Sequence, residues 1–293
     1  MDVQVELLQA IQSIGSPGLD TLFELITMSA EEGFFILVAA WLLWVKDKEL
    51  GYRLGYSLLS STVFNPLLKS SFQVSRPIGV EGIESMRLHT APGYAFPSGH
   101  TQGAASFWTL VMKAVGRSWA NLLGLSMIVL VAFSRLYLGV HWPTDVLGGI
   151  FFGVLWVFAA DALFRHSMAS SRPWLRMSLL LPLGLWGLFF PDEAFVKSYG
   201  ALLGFCVGAE LDRRYIGFAT AAGLPVQVLK IVLGLAVLLG IKEGLKIPLE
   251  LLFDTAGGMI LWGELMRYAL IGLWISGGAP GLFKYLFPGA SKP

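Results

Sequence analysis

Apolar stretches close to the length needed to cross the ~30 Å hydrocarbon layer of a bilayer recur along this 293-residue chain. They fall at about 32–45, 52–71, 99–115, 119–138, 143–164, 174–190, 195–211, 223–241 and 257–277. A segment in hydrocarbon has to satisfy its backbone N–H and C=O groups internally, so such stretches fold as helices. The pattern predicts an all-α polytopic membrane protein, a helical bundle of nine spans. The first and sixth stretches are short, and 242–256 reads as a re-entrant or interfacial segment, so eight or ten spans are the alternatives. Composition agrees, with 55% hydrophobic and 14% charged residues against ~25% charged in an ordinary soluble domain.

Residues 1–30 precede the first span. Val5, Leu8, Ile11 and Ile14 recur at helical spacing against Glu6 and Gln9, and the run breaks at Gly15-Ser16-Pro17-Gly18. We expect an interfacial amphipathic helix followed by a short second one, with a solvated N-terminal helix as the alternative. The acidic start lacks the basic residues and small-residue cleavage site of a signal peptide, so insertion is expected to use the spans themselves. A net charge of +1 without a long basic run sets nucleic acid aside as a partner. The single cysteine, Cys206, excludes an internal disulfide.

Lysine and arginine in short connections resist translocation and orient a polytopic chain. Lys46, Lys48 and Arg53; Lys113 and Arg117; Arg165, Arg172 and Arg176; Arg213 and Arg214; and Lys284 and Lys292 fall in alternate connections and are expected on the cytoplasmic side. The opposite side carries the acidic N-terminus, including Asp2, Glu24 and Glu31. It also carries Asp192-Glu193 with Lys197, the Lys242–Lys246 turn, and the connections that hold most of the chain's concentrated polar chemistry. This places the chemistry on the external or lumenal face, with a plasma-membrane location expected.

That chemistry is confined to Lys69–Asp145 and comes in three clusters: Lys69, six residues, Arg76-Pro77; Pro97-Ser98-Gly99-His100; and Ser134-Arg135, five residues, His141, three residues, Asp145. A phosphate monoester carries nearly two negative charges. An enzyme that neutralises it without a metal relies on arginine and lysine, whose fork and point charge match phosphate oxygens; Lys69, Arg76 and Arg135 are the candidates. Ser98 ahead of an apolar run is a good helix cap, and the N–H groups of Gly99 and the following turn form an anion site. Two imidazoles, His100 and His141, permit a nucleophile and a proton donor. Asp145 opens a helix after Pro143, four residues beyond His141, so its carboxylate can reach back to one imidazole nitrogen, fixing the tautomer and stabilising a positive ring.

These three motifs, in this order and with these spacings, resemble the three-part signature of the type 2 phosphatidic acid phosphatase superfamily, which includes lipid phosphate phosphatases, undecaprenyl pyrophosphate phosphatases and glucose-6-phosphatase. The resemblance covers the membrane core through about Phe164. It implies a six-helix-type phosphatase core in which His141 attacks phosphorus and becomes a phosphohistidine, Asp145 supports it, and His100 protonates the leaving group. Lys69, Arg76, Ser98, Gly99 and Arg135 would hold the phosphoryl oxygens, with no metal and no cofactor. The implied substrate is a lipid phosphate or isoprenoid pyrophosphate drawn from the bilayer.

The expected organisation is therefore an N-terminal region (1–30), a catalytic membrane core (31–164) and a C-terminal transmembrane extension (165–293). In the extension, Lys230, Glu264 and Arg267 lie in apolar sequence. Glu264 and Arg267 share a helix face and read as a structural pair, with a polar pocket for a head group as the alternative. Gly200, Gly204 and Gly208 recur every fourth position, which suits close helix packing within the chain or in a homodimer. The 72–98 connection carries Arg87 and His89 and reads as one wall of the site, with His89 a loop residue. Competing readings are a phosphotransferase that passes the phosphoryl group to a lipid or sugar hydroxyl, a sugar phosphatase similar to glucose-6-phosphatase, and a transporter. The last leaves the His, Asp and Arg arrangement without purpose.

Overall fold

The computed structural model of the chain describes residues 3–288 apart from 171, 173, 191 and 255–259. Asp2, Lys292 and parts of the 242–256 and 257–277 stretches thus lie outside the described residues. Among the described residues the regular structure is entirely helical. In chain order the helices are α1 (Val3–Gln12), α2 (Pro17–Met28), α3 (Glu32–Trp41), α4 (Lys48–Phe72), α5 (Gly99–Val115), α6 (Ser118–Tyr137) and α7 (Pro143–Ala169). They continue as α8 (Trp174–Met177), α9 (Leu180–Gly187), α10 (Glu193–Leu211), α11 (Leu224–Gly244), α12 (Lys246–Asp254), α13 (Ile260–Leu273) and α14 (Ala279–Leu286).

Among the described residues four helical segments can cross a membrane by length and composition: α6, α7, α10 continued to Ile216, and α11 continued to Phe253. The pair α2 and α3, bent by 48°, would be a fifth. The expected total of nine is not confirmed, and the shortfall has visible causes. Helix α4 has 25 residues but carries Glu49 and Lys69 near its ends and Pro66 within, and α5 stops at 17 residues. The 174–190 stretch breaks into helices of 4 and 8 residues.

The chain divides into two compact units, one of Met1–Phe35 with Asn65–Ala159, the other of Ile36–Phe64 with Ala160–Pro293. In the first, the N-terminal helices pack on the end of α6. Phe23 is buried with Tyr137, Leu138 and Val140, joined by Ile11, Leu19 and Met86, while Ala30 packs with Ala104 and Val131. Polar contacts lock the same seam: Gln12 Nε2 donates to Glu84 O at 2.6 Å and to Tyr137 O at 2.8 Å, and Tyr137 donates to Asp20 Oδ1 at 2.5 Å. Ile11, Leu19 and Phe23 thus pack against the segment that leads to His141, while Ile14, Leu22 and Leu25 stay exposed.

In the second unit α10 and α13 approach backbone to backbone. A Cβ at Gly204 would lie 1.8 Å from Ala269 O, and one at Gly200 2.4 Å from Leu265 O. The glycine stripe is therefore occupied within the chain. Arg267 Nη2 donates to both Glu264 oxygens at 2.7 Å and Nη1 to Lys242 O at 3.0 Å, the structural pair expected from their spacing. Lys230 is buried with its Nζ on Thr220 O at 3.0 Å and Gln227 Oε1 at 3.4 Å. Buried Asp161 pairs with Arg53 at 2.9 Å and Arg165 at 3.3 Å, and buried Asp212 with Lys48 at 2.8 Å. Of these buried charges, Glu264, Arg267, Asp161 and Asp212 are paired with opposite charges, as their desolvation cost requires, and Lys230 rests on neutral oxygens.

Candidate active site

The turn between α6 and α7 delivers the central imidazole. Helix α6 ends at Tyr137, and Gly139 takes the left-handed conformation (φ +64) that closes many helices. A side chain there would also collide, since a Cβ would lie 2.1 Å from Glu84 O. Val140 is buried, His141 follows, and Pro143 opens α7, where its fixed φ and missing N–H cost nothing. Asp145 then sits in the first turn with its carboxylate reaching back. Its Oδ2 accepts from Trp142 N at 2.7 Å and lies 3.2 Å from His141 Nδ1. The i, i+4 spacing thus becomes a capping contact and an imidazole partner at once.

The same residue ties the second motif in place, because Ser98 N donates to Asp145 O at 2.9 Å. Ser98 caps α5, its hydroxyl accepting from Thr101 N at 3.5 Å and Thr101 Oγ1 at 3.0 Å. The free N–H groups of the first turn of α5, beginning at Gly99, therefore open beside the His141–Asp145 pair, at the positive end of the helix dipole. Asn65 of α4 holds this turn from the other side, donating to Pro97 O at 3.3 Å and to Gln102 Oε1 at 2.8 Å.

Arg76 touches the imidazole. Its Nη1 lies 3.0 Å from His141 Nε2 and donates to Val140 O at 2.9 Å, while Nε and Nη2 donate to Gly93 O and Pro92 O, each at 2.9 Å. Lys69 Nζ donates to Tyr94 O at 2.5 Å and Ala95 O at 3.4 Å. Both cations thus hold the 92–95 segment beside the site as well as supplying charge. Arg135 is fully buried on the last turn of α6 and donates through Nη1 to Thr27 Oγ1 at 2.9 Å and through Nη2 to Thr90 Oγ1 at 3.4 Å. Among the described residues its Nε has no hydrogen-bond partner, and neither do Asp145 Oδ1 and His100 Nε2. Buried polar atoms left in this state mark a place built for a polar occupant.

Burial, joined by Lys69, Arg76, Arg135 and His100, holds the His141 ring well below the ordinary imidazole pKa. A neutral ring that donates Nδ1–H to Asp145 has its lone pair on Nε2, where Arg76 meets it. Burial likewise pulls Arg76 down to about 10, opposed by Asp145. The positive charge of this site belongs to the chain itself. Among the described residues no three His, Cys, Asp or Glu side chains converge as a metal-ligand set.

The eight residues expected to act on or hold the phosphoryl group, Lys69, Arg76, Ser98, Gly99, His100, Arg135, His141 and Asp145, all fall within the first unit. Arg76, His141, Asp145 and Ser98 are joined by direct hydrogen bonds, and Lys69 bonds to the loop segment that Arg76 also holds. His100 stands apart: its Nε2 faces Glu31 Oε1 at 3.9 Å. Exposed His89 takes no part. Sequence reasoning did not find Glu31, Thr27, Asn65 or Thr90, which belong to no motif. One signal was available, because Arg87 is a motif-side cation outside the three clusters and so calls for a partner; its Nη2 donates to Glu31 Oε1 at 2.7 Å.

Comparison with known proteins identifies a family. Residues 50–168 match the PAP2 superfamily, and residues 196–291 match the PAP2 superfamily phosphatase transmembrane extension. A protein of Escherichia coli K12 named as a putative undecaprenyl-diphosphatase, YbjG, is 30% identical over 154 residues, covering 50% of this chain and 76% of that protein. The undecaprenyl-diphosphatase of Sulfolobus acidocaldarius is 29% identical over 150 residues, covering 51% of this chain and 72% of that protein. Among solved structures, Aquifex aeolicus LpxE is 23% identical and matches 55% of this chain and 95% of its own at a TM-score of 0.48. The chain is an integral membrane protein that belongs to the PAP2 superfamily of phosphatases and carries both the family's core and its transmembrane extension.

Proposed function

We propose that this protein hydrolyses a phosphate monoester or pyrophosphate carried by a lipid, without a cofactor, through a phosphohistidine at His141. The observation that carries the reading is the His141 ring, fixed through Nδ1 on Asp145 and presenting Nε2 to Arg76 at the mouth of a capped helix N-terminus. Nε2 attacks phosphorus, the bond to the leaving oxygen breaks, and His100 gives that oxygen a proton. The developing charge meets Arg76, Arg135, Lys69 and the N–H groups after Ser98. Water then attacks the phosphohistidine, its proton passing to the now neutral His100, and inorganic phosphate leaves. A lipid-borne substrate is supported by the membrane-spanning character of the chain and by the undecaprenyl-diphosphatases among its relatives.

We place the site on the external face of the plasma membrane, on the strength of the lysine and arginine pattern in the alternate connections. A cysteine introduced at Gly79, in a variant whose Cys206 is replaced, then reacts in intact cells with a membrane-impermeant thiol reagent, whereas one at Lys48 reacts after permeabilisation only. The opposite labelling inverts the topology.

The activity itself is tested by phosphate release from purified protein in detergent. The panel comprises phosphatidic acid, phosphatidylglycerophosphate, undecaprenyl pyrophosphate, a sphingoid phosphate and glucose 6-phosphate. Release from at least one lipid substrate is expected, and release from none contradicts the reading.

A further inference from the structure

Asp145 serves His141, and the other imidazole has a carboxylate of its own that lies outside every motif. Glu31 occupies the corner between α2 and α3, and its Oε1 lies 3.9 Å from His100 Nε2. That oxygen is not free to wander, because Arg87 Nη2 donates to it at 2.7 Å, and Arg87 Nη1 lies 3.8 Å from Glu24 Oε2. Arg87 is itself fixed in the left-handed region (φ 52), and its backbone O accepts from Thr90 Oγ1 at 2.9 Å. Thr90 Oγ1 in turn receives Arg135. Arg87, itself anchored by Glu24 and Thr90, therefore holds one carboxylate oxygen 3.9 Å from one imidazole nitrogen.

The chemistry of the leaving group gives this arrangement a use. A general acid has to carry its proton when the ester oxygen begins to depart, and His100 is charged while it does so. Burial of the ring opposes that charge most, Arg135 and Lys69 oppose it too, and Glu31 is the neighbour that favours it. We propose that Glu31, held by Arg87, is the positioning residue of His100, orienting the ring and keeping a proton on it for the leaving oxygen. Glu31 stays a carboxylate throughout. With Nε2 turned toward it, the second N–H of the imidazolium is the one that passes to the leaving oxygen, and the ring is left neutral for the water step. The proposal rests on the phosphatase reading above.

The test compares leaving groups in the full-length protein in detergent, with Glu31→Gln against the unaltered chain. Dodecyl phosphate leaves as an alkoxide and needs the proton; p-nitrophenyl phosphate leaves as a stabilised phenolate and hardly does. The expected result is a kcat for dodecyl phosphate lower by about 10- to 100-fold, within the range of acid–base contributions. KM stays within about threefold, and kcat for p-nitrophenyl phosphate is nearly unchanged in the same preparation. The aryl ester also reports that the variant is folded. An equal fall on both esters makes Glu31 a merely structural residue and overturns the proposal, as does no fall on either. Failure of the unaltered chain on both esters refutes the phosphatase reading instead.

Discussion

The two imidazoles of the site are built in opposite ways. His141 receives its position and its carboxylate within a few residues: Gly139 ends one helix, Pro143 starts the next, and Asp145 reaches back across one turn. His100 is supplied by its helix with a cap only, and its carboxylate neighbour arrives from a corner about seventy residues earlier, steered by an arginine from a long loop. Local construction writes itself into spacing. Assembly from distant segments leaves isolated residues whose meaning appears when the helices are packed.

Substitutions in the two halves should therefore fail differently. His141→Ala removes the nucleophile, and phosphate release should drop by roughly 10,000-fold or more, as expected where residues act as a unit. Asp145→Asn keeps the volume but loses the charge that fixes the ring, and roughly 100- to 10,000-fold in kcat is the expected loss. A comparable rate in that variant would break the parallel between the i, i+4 contact and imidazole orientation.

These largest effects fall where the sequence was most readable. The all-helical class, the two-part organisation of core plus extension, and the superfamily followed from apolar stretches and three motifs, because hydrocarbon length and catalytic spacing are both local quantities. The number of spans was less readable. Length counts alone do not foresee that 174–190 splits into two short helices or that α4 carries its charges within one long helix. Thr27 and Glu31 were illegible as site residues for a related reason. Their helices read as an N-terminal region ahead of the core, and nothing in the spacing of Phe23 or Ala30 says that these pack against α5 and α6.

Smaller substitutions sharpen the contrast. Arg135→Lys retains a positive charge but not the planar fork that meets Thr27 and Thr90 together, and a loss of about 10- to 100-fold in kcat/KM is expected. Near-normal catalysis would reduce Arg135 to a contributor of field. Thr27→Val, isosteric and without the hydroxyl, leaves a buried guanidinium nitrogen short of one acceptor. At about 1–3 kcal/mol for an unsatisfied buried group, the loss should be some 5- to 150-fold, and it should vanish in the Arg135→Lys background if the two residues act through each other.

The central claim is that the His141 ring itself receives the phosphoryl group. Rapid quenching of the purified protein with a radiolabelled lipid phosphate, followed by peptide mapping, measures this directly. The account predicts an acid-labile, base-stable label that forms within one turnover, resides on His141 and is absent from His141→Ala. Label on any other side chain, or full turnover in the alanine variant, would contradict it.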